Sequence, residues 1–249
     1  MELQLVAFDL DDTLAPSKSA LPEEMAVVLR DLLDQVAVCV ISGGNFSQFQ
    51  SQLLAGLEPT ASQAEKLHLM PTCGTRYLRF IDGEWASVYE RNLSLEVREK
   101  ALNILEREAK RLGLWETDTA GPILEDRGSQ ITFSALGQQA ALEAKKTWDP
   151  TGVKKESLRA AVAPLLPELE VRSGGSTSID ITQKGVDKAY GISELSKQTG
   201  IPIEAMLFVG DRLDEGGNDY PVLRLGIRTH AVTGWEDTVD YIHKLLRQL

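Results

Sequence analysis

The stretch Leu3-Gln-Leu-Val-Ala-Phe-Asp9-Leu-Asp11-Asp12-Thr13-Leu14 decides how the chain is read. Its first half, Leu3 to Phe8, is short and almost wholly apolar, the pattern of a parallel strand buried on both faces. Its second half places Asp9, Asp11 and Asp12 directly after that strand. Three acids at the end of a buried strand repel one another unless a cation neutralises them, and hard oxygen ligands there suit Mg2+. The carboxyl end of a parallel strand is also where open α/β sheets bind ligands. Asp9 is therefore a candidate nucleophile that attacks phosphorus and splits one displacement into two easier ones. Asp11 can reach over the same site to protonate a leaving oxygen and later activate an attacking water. Taken alone, the acids also fit a solvated turn.

Working outward, Val36 to Ile41 is a second apolar run, and it ends in Ser42-Gly43-Gly44-Asn45. Between the two runs, Met25, Val28, Leu29, Leu32 and Leu33 recur at helical spacing behind Pro22 and two glutamates, so a strand-helix-strand unit is expected. The Ser42 hydroxyl and the backbone amides of Gly43 and Gly44 suit a phosphate oxygen. In isolation, a tight Gly-Gly turn with Asn45 capping the next helix reads equally well. That helix carries Phe46, Phe49 and Leu53 on one side, and Leu67 to Met70 reads as a further strand. Near the C-terminus, Ala205 to Val209 ends at Gly210-Asp211, Gly226 to Val232 reads as a strand and Trp235 to Leu249 as a helix.

The middle of the chain has another rhythm. Asp82-Gly83 between Tyr77 to Ile81 and Trp85 to Tyr89 is a hairpin signal, and Leu95 to Leu112 has helical spacing. Ile123 to Arg127, Gln130 to Leu136, Glu168 to Arg172 and Thr177 to Ile181 suggest an antiparallel sheet, with a further helix over Lys154 to Leu165. The expectation is an α/β fold: a catalytic, Rossmann-like parallel-sheet core formed by 1–84 and 186–249, with an α+β domain inserted over 85–185.

Bulk properties narrow the function. The chain has 249 residues, 43% hydrophobic and 25% charged, with a formal net charge of -11. That net charge argues against a nucleic-acid partner, whose affinity comes mostly from Lys and Arg neutralising phosphates, whereas a small anionic metabolite needs only a local cation. The N-terminus has no signal-peptide pattern and no run approaches the roughly 20 apolar residues that cross a bilayer, so a cytoplasmic protein without membrane partners is expected. Cys39 and Cys73 read as small core or loop residues. His68, His230 and His243 have no metal-ligand spacing.

Two later segments complete the pattern. Phe208-Val-Gly-Asp211 leads into an acidic, glycine-containing loop that ends at Asn218-Asp219, and Lys184-Gly-Val-Asp-Lys188 opens a helix running to Gln198. Asp-x-Asp-x-Thr, a strand-end Ser, a helix Lys and Gly-Asp with Asn-Asp, in this order, resemble the haloacid dehalogenase-like phosphotransferases along the whole chain. The resemblance implies Asp9 as nucleophile, Asp11 as general acid/base, and Ser42 and Lys188 as phosphate contacts. It implies Asp9, the Asp11 main-chain carbonyl and Asp211 as Mg2+ ligands, supported by Asn218 and Asp219. The insertion is similar to the family's large α/β cap, which closes over the site and selects the substrate.

Within that superfamily the chain resembles the eukaryotic-type phosphomannomutases and neighbouring sugar phosphatases. Arg127-Gly-Ser-Gln-Ile-Thr-Phe-Ser-Ala-Leu-Gly137 is similar to the mutase cap strand, Gly174-Gly175-Ser-Thr-Ser178-Ile-Asp180-Ile to its sugar-binding strand, and Gly216-Gly-Asn-Asp219 to its metal loop. Lys18 stands where the mutases carry Arg. By this likeness Arg127 contacts phosphate or sugar oxygens, and Ser178 and Asp180 bond sugar hydroxyls.

The chain departs from the mutase pattern at Gln138, where they carry Arg, at Thr119-Ala120, where they carry a basic pair, and at Asp12, where they carry Gly. A mutase holds a bisphosphate in both orientations and needs a strong distal cation, which Gln cannot supply. The sequence thus favours a Mg2+-dependent phosphatase of a small phosphorylated metabolite, a sugar phosphate, over a phosphomannomutase-like isomerase or a non-catalytic phosphosugar-binding protein.

Overall fold

The computed structural model describes residues 2–174 and 176–249; Gly175 of the glycine pair before Ser178 lies outside them. The chain divides into two compact units, Met1–Glu90 with Val186–Leu249, and Arg91–Gly185. No helix among the described residues is long and apolar enough to cross a membrane.

The first unit is built on seven strands: β1 (Leu5–Phe8), β2 (Ala37–Ile41), β3 (Leu67–Met70), β4 (Arg76–Ile81), β5 (Glu84–Glu90), β10 (Met206–Gly210) and β11 (Arg228–Ala231). Their order is β11-β10-β1-β2-β3-β4-β5. Pairing is parallel from β11 through β3 and antiparallel from β3 to β5. Both faces are covered, as the apolar runs of β1 and β2 require. Val6, Phe8, Val38 and Val40 join Met25, Leu29 and Leu32 of helix Glu23–Gln35 and Val239 and Ile242 of helix Trp235–Leu246. Leu5, Ala7, Cys39 and Ile41 meet Ile192 and Leu195 of helix Lys188–Thr199 on the other side.

Residues 85–90, assigned from sequence to the insertion, instead pair with β4 as β5 and extend the large sheet. The hairpin signal itself is sound: Asp82 and Gly83 have φ of 53° and 89°, the left-handed pair that a two-residue turn between twisted strands needs. An antiparallel hairpin can extend an existing sheet as readily as it can open a new domain. A second difference concerns the helix after Asn45. Asn45 does cap it, its side chain accepting from the Gln48 amide at 3.1 Å, but Phe49–Leu54 is π-helical.

The second unit carries a four-stranded antiparallel sheet in the order β6-β7-β9-β8, from β6 (Leu124–Asp126), β7 (Gln130–Ser134), β8 (Leu169–Ser173) and β9 (Ser178–Gln183). Ile131, Phe133, Ile179 and Ile181 point from one face into an apolar cluster with Ala101 and Leu105 of helix Leu95–Arg111 and Leu158 and Val162 of helix Val153–Val162. The alternate residues of β7 and β9 are polar, so the opposite face is not a second apolar layer.

Candidate active site

The strand order places the ends of β10, β1 and β2 side by side, and Asp211, Asp9 and Ser42 immediately follow those three strands. This is the carboxyl edge of the parallel part of the sheet. Lys188 comes to the same edge from the start of helix Lys188–Thr199. A buried cation at a helix N-terminus opposes the helix dipole and carries a desolvation cost. Two carboxylates offset it: Lys188 Nζ lies 2.5 Å from both Asp9 Oδ1 and Asp219 Oδ1, with the lysine side chain 1% exposed. Burial works against the ammonium, but Asp9 and Asp219 outweigh it and keep Lys188 charged.

The backbone is shaped for these approaches. A Cβ on Gly210 would stand 2.4 Å from Asp219 Oδ2, so glycine at the end of β10 lets that carboxylate fold back against the strand. Asp219 Oδ2 in turn accepts from the Arg212 amide at 3.1 Å. Asp187 caps the lysine helix by accepting from the Tyr190 amide at 2.9 Å, and Arg224 holds Asp187.

Carboxylate oxygens of Asp9, Asp211 and Asp219 lie within 4.8 Å of one another. Asp9 and Asp219 are buried and Asp211 is half-buried. Burial above all, then the neighbouring Asp219, pushes the Asp9 carboxyl up to about 7 against the pull of Lys188. Asp211 is raised as well, by burial first and by Asp219 next. One ammonium does not balance three carboxylates, and a buried all-oxygen set with surplus negative charge fits a hard divalent cation. The arrangement differs from the sequence expectation in two respects. Asp219, expected in support, contributes an oxygen to the cluster itself, whereas Asn218 is exposed and makes no hydrogen bond among the described residues.

Asp11 does not join this cluster with its side chain. Its Oδ1 accepts from the Lys18 amide at 2.8 Å and from Gln52 Nε2 at 3.0 Å. Its Oδ2 accepts from Gln48 Nε2 at 3.0 Å and lies 3.4 Å from Lys18 Nζ. Burial raises the Asp11 carboxyl, but Lys18 and the two glutamines overcome it and hold the group below the ordinary carboxylate value. Gln48, at the turn before the π-helix, and Gln52, within it, were not anticipated, because an amide at helical spacing carries no sequence signal for a clamp. Gly44 permits it: a Cβ there would overlap Gln48 Oε1. Thr13 was part of the first motif but had no assigned role; it bridges the two loops, accepting from the Asp211 amide at 3.1 Å and donating to Asp211 Oδ1 at 3.3 Å.

Ser42 is buried, and its Oγ accepts from the Gly44 amide at 3.1 Å, leaving the hydroxyl proton for another acceptor. Gly43 is half-buried beside it. Lys18 is exposed, with Nζ 2.9 Å from Gln48 Oε1. The remaining candidates belong to the second unit. Arg127 pairs with Glu125 at 2.7 Å, and Ser178 and Asp180 are half-buried on β9. At Gln138, Lys145 Nζ donates to the main-chain carbonyl at 2.8 Å.

The family model described as eukaryotic phosphomannomutase matches residues 88–248. A phosphomannomutase of Schizosaccharomyces pombe is 26% identical, covering 97% of this chain and 93% of the relative. Phosphomannomutase 1 of Homo sapiens is 24% identical over 96% and 90% of the two chains. Among solved structures, a haloacid dehalogenase-like hydrolase from Bacteroides thetaiotaomicron superposes with a TM-score of 0.68 at 16% identity, over 98% of this chain and 100% of the other.

Proposed function

The chain is an enzyme of the haloacid dehalogenase-like superfamily that belongs to the eukaryotic phosphomannomutase family, and on that premise we propose that it moves a phosphoryl group between positions of a phosphorylated sugar through an aspartyl phosphate on Asp9. The observation that carries the reading is Asp9 held at the end of β1 by Lys188, beside Asp211 and Asp219.

In the first half-reaction an Asp9 oxygen forms a bond to phosphorus as the bond to the sugar oxygen breaks. In the second, a hydroxyl oxygen attacks the aspartyl phosphate and regenerates the carboxylate. Lys188 offsets negative charge at Asp9 throughout, and Ser42 with the amides of Gly43 and Gly44 binds phosphate oxygens. Asp11, ionised by its donors, is set to take the proton of the attacking hydroxyl and, once protonated, to return one to the leaving oxygen. Asp9, Asp211 and Asp219 would hold Mg2+, which supplies a Lewis acid that screens phosphate from the surrounding carboxylates. By likeness to the family, the second unit would select the substrate, and Arg127 would bind phosphate or sugar oxygens.

Isomerisation takes precedence over the hydrolysis favoured from sequence because named mutases match over nearly their full length. Hydrolysis stands as the second reading on one observation, the absence of the basic pair at Thr119-Ala120. Phosphorus NMR of a hexose 1-phosphate with Mg2+ and catalytic hexose bisphosphate separates them. The 6-phosphate is expected to accumulate; inorganic phosphate as the main product identifies a phosphatase, and no change in either signal refutes both.

A further inference from the structure

The loop between β3 and β4 holds three consecutive left-handed residues, Thr72, Cys73 and Gly74, with φ of 50°, 55° and 84°. Left-handed backbone is uncommon outside glycine, and for a β-branched residue such as Thr72 it is a genuine outlier. Conformations of this kind persist where their surroundings over-determine them. Here several bonds do so. Thr75 and Thr72 are buried, and Thr75 Oγ1 donates to the Thr72 carbonyl at 2.9 Å while standing 2.6 Å from Thr72 Oγ1. Tyr89 Oη donates to the Gly74 carbonyl at 2.8 Å.

The run turns two amides the same way. In an extended strand successive N–H groups alternate, whereas consecutive left-handed residues aim both to one side. Thr72 N donates to the Gly44 carbonyl at 2.9 Å and Cys73 N to the Ser42 carbonyl at 2.9 Å, so both acceptors lie in the loop after β2. The C=O and N–H of a trans peptide point in opposite directions, and holding the Ser42 carbonyl toward Cys73 therefore fixes the Gly43 N–H away from it. The same turn meets the lysine helix backbone to backbone. A Cβ on Gly74 would stand 2.5 Å from Gly191 Cα, and one on Gly191 would stand 2.7 Å from the Cys73 carbonyl oxygen. Gly191 lies about one helical turn beyond Lys188.

We infer that the turn over 72–75 is a positioning device for phosphate binding. It sets the direction of the Gly43 amide and the seat of the Lys188 helix together, with Cys73 acting through its backbone and Thr75 through its hydroxyl. Neither Thr72 nor Thr75 stood out in the sequence, and Cys73 reads there as a small core or loop residue. That the bound anion is phosphate rests on the proposed function. A left-handed residue 73 needs no thiol, so glycine serves at that position and a β-branched side chain does not.

The test is calorimetric binding of inorganic phosphate, with Mg2+ present, by wild type, Cys73→Gly, Cys73→Val, Thr75→Ser and Thr75→Val, alongside KM for a hexose phosphate. Cys73→Gly and Thr75→Ser are expected to bind phosphate as wild type does. Cys73→Val and Thr75→Val should bind it about 10-fold more weakly, as loss of one charge-assisted hydrogen bond implies, with KM rising in step. The rise in thermal midpoint given by Mg2+ alone reads the carboxylates of Asp9, Asp211 and Asp219 and should stay as in wild type, which separates positioning from general damage. If Cys73→Val does not fold, Thr75→Val against Thr75→Ser carries the same comparison. Three results overturn the inference: equal losses in Cys73→Gly and Cys73→Val, which would assign the effect to the thiol; undiminished phosphate binding in the valine variants; or a parallel loss of the Mg2+ response. If wild type turns over no phosphate ester, the function reading fails by itself. Phosphate binding still decides the role of the turn, and no binding by wild type rejects it.

Discussion

Lys188 and Asp9 form a buried ion pair with Nζ and Oδ1 2.5 Å apart, and Lys188 shares its charge equally with Asp219 on the other side. The lysine is thus the counter-ion for two carboxylates from different ends of the chain, and it ties the loop after β10 to the loop after β1. Lys188→Met removes that charge while keeping most of the side-chain volume. It leaves two buried acids facing each other, which costs roughly 3 kcal/mol of stability by the usual penalty for an unpaired buried charge. Urea unfolding should show a lowered midpoint and assays a loss of activity; a variant as stable and active as wild type would remove Lys188 from the account.

The carboxylate cluster leads to a metal expectation with its own readout. Mg2+ should raise the thermal midpoint of wild type by binding the folded state, and Asp211→Asn should abolish most of that rise while leaving the metal-free midpoint near wild type. An undiminished rise in the variant would place the cation elsewhere. Chelation should stop turnover and added Mg2+ restore it.

The clamp on Asp11 predicts a displaced pH profile. Gln52 and Gln48 donate to the ionised carboxyl and, with Lys18, hold it below its ordinary value. Gln52→Leu removes a donor to the charged form, so the Asp11 carboxyl moves up. If ionised Asp11 takes the proton in the rate-limiting step, the acid limb of the kcat profile moves to higher pH. A profile superimposable on wild type would separate Gln52 from proton transfer.

Much of this arrangement was legible in the sequence, and the exceptions have physical causes. The apolar runs before Asp9, Ser42 and Asp211 read as buried strands because a strand buried on both faces has no polar alternation, whereas their adjacency depends on pairing across the sheet. The Asp82-Gly83 turn was equally readable, yet nothing local told that β5 returns to the large sheet; that depends on pairing with β4. Gln48 and Gln52 reach Asp11 through a π-turn that no residue pattern announces.

A pH effect on stability is expected at His68, which is buried with Nδ1 2.7 Å from the Tyr77 hydroxyl. Burial first, and Arg79 second, depress its imidazole from 6.5 to about 3. A depressed folded value means that the neutral ring is favoured in the fold. The contribution is complete above pH 6.5 and is lost as pH falls toward 3, because the unfolded chain takes up the proton first. Between pH 7.5 and 5, wild type should lose roughly 2 kcal/mol more than His68→Gln, as about one and a half pH units of one-proton linkage gives. Equal losses in urea titrations at the two pH values would show that His68 does not titrate in this way.

The most direct test of the account is chemical trapping at Asp9. Enzyme turning over a sugar phosphate with Mg2+ is quenched and treated with borohydride, which reduces an aspartyl phosphate to homoserine, and the peptide spanning β1 is read by mass spectrometry. Homoserine is expected at position 9 in wild type, and neither homoserine nor turnover in Asp9→Asn. Sustained turnover by Asp9→Asn, or reduction at another acid with Asp9 intact, would contradict it.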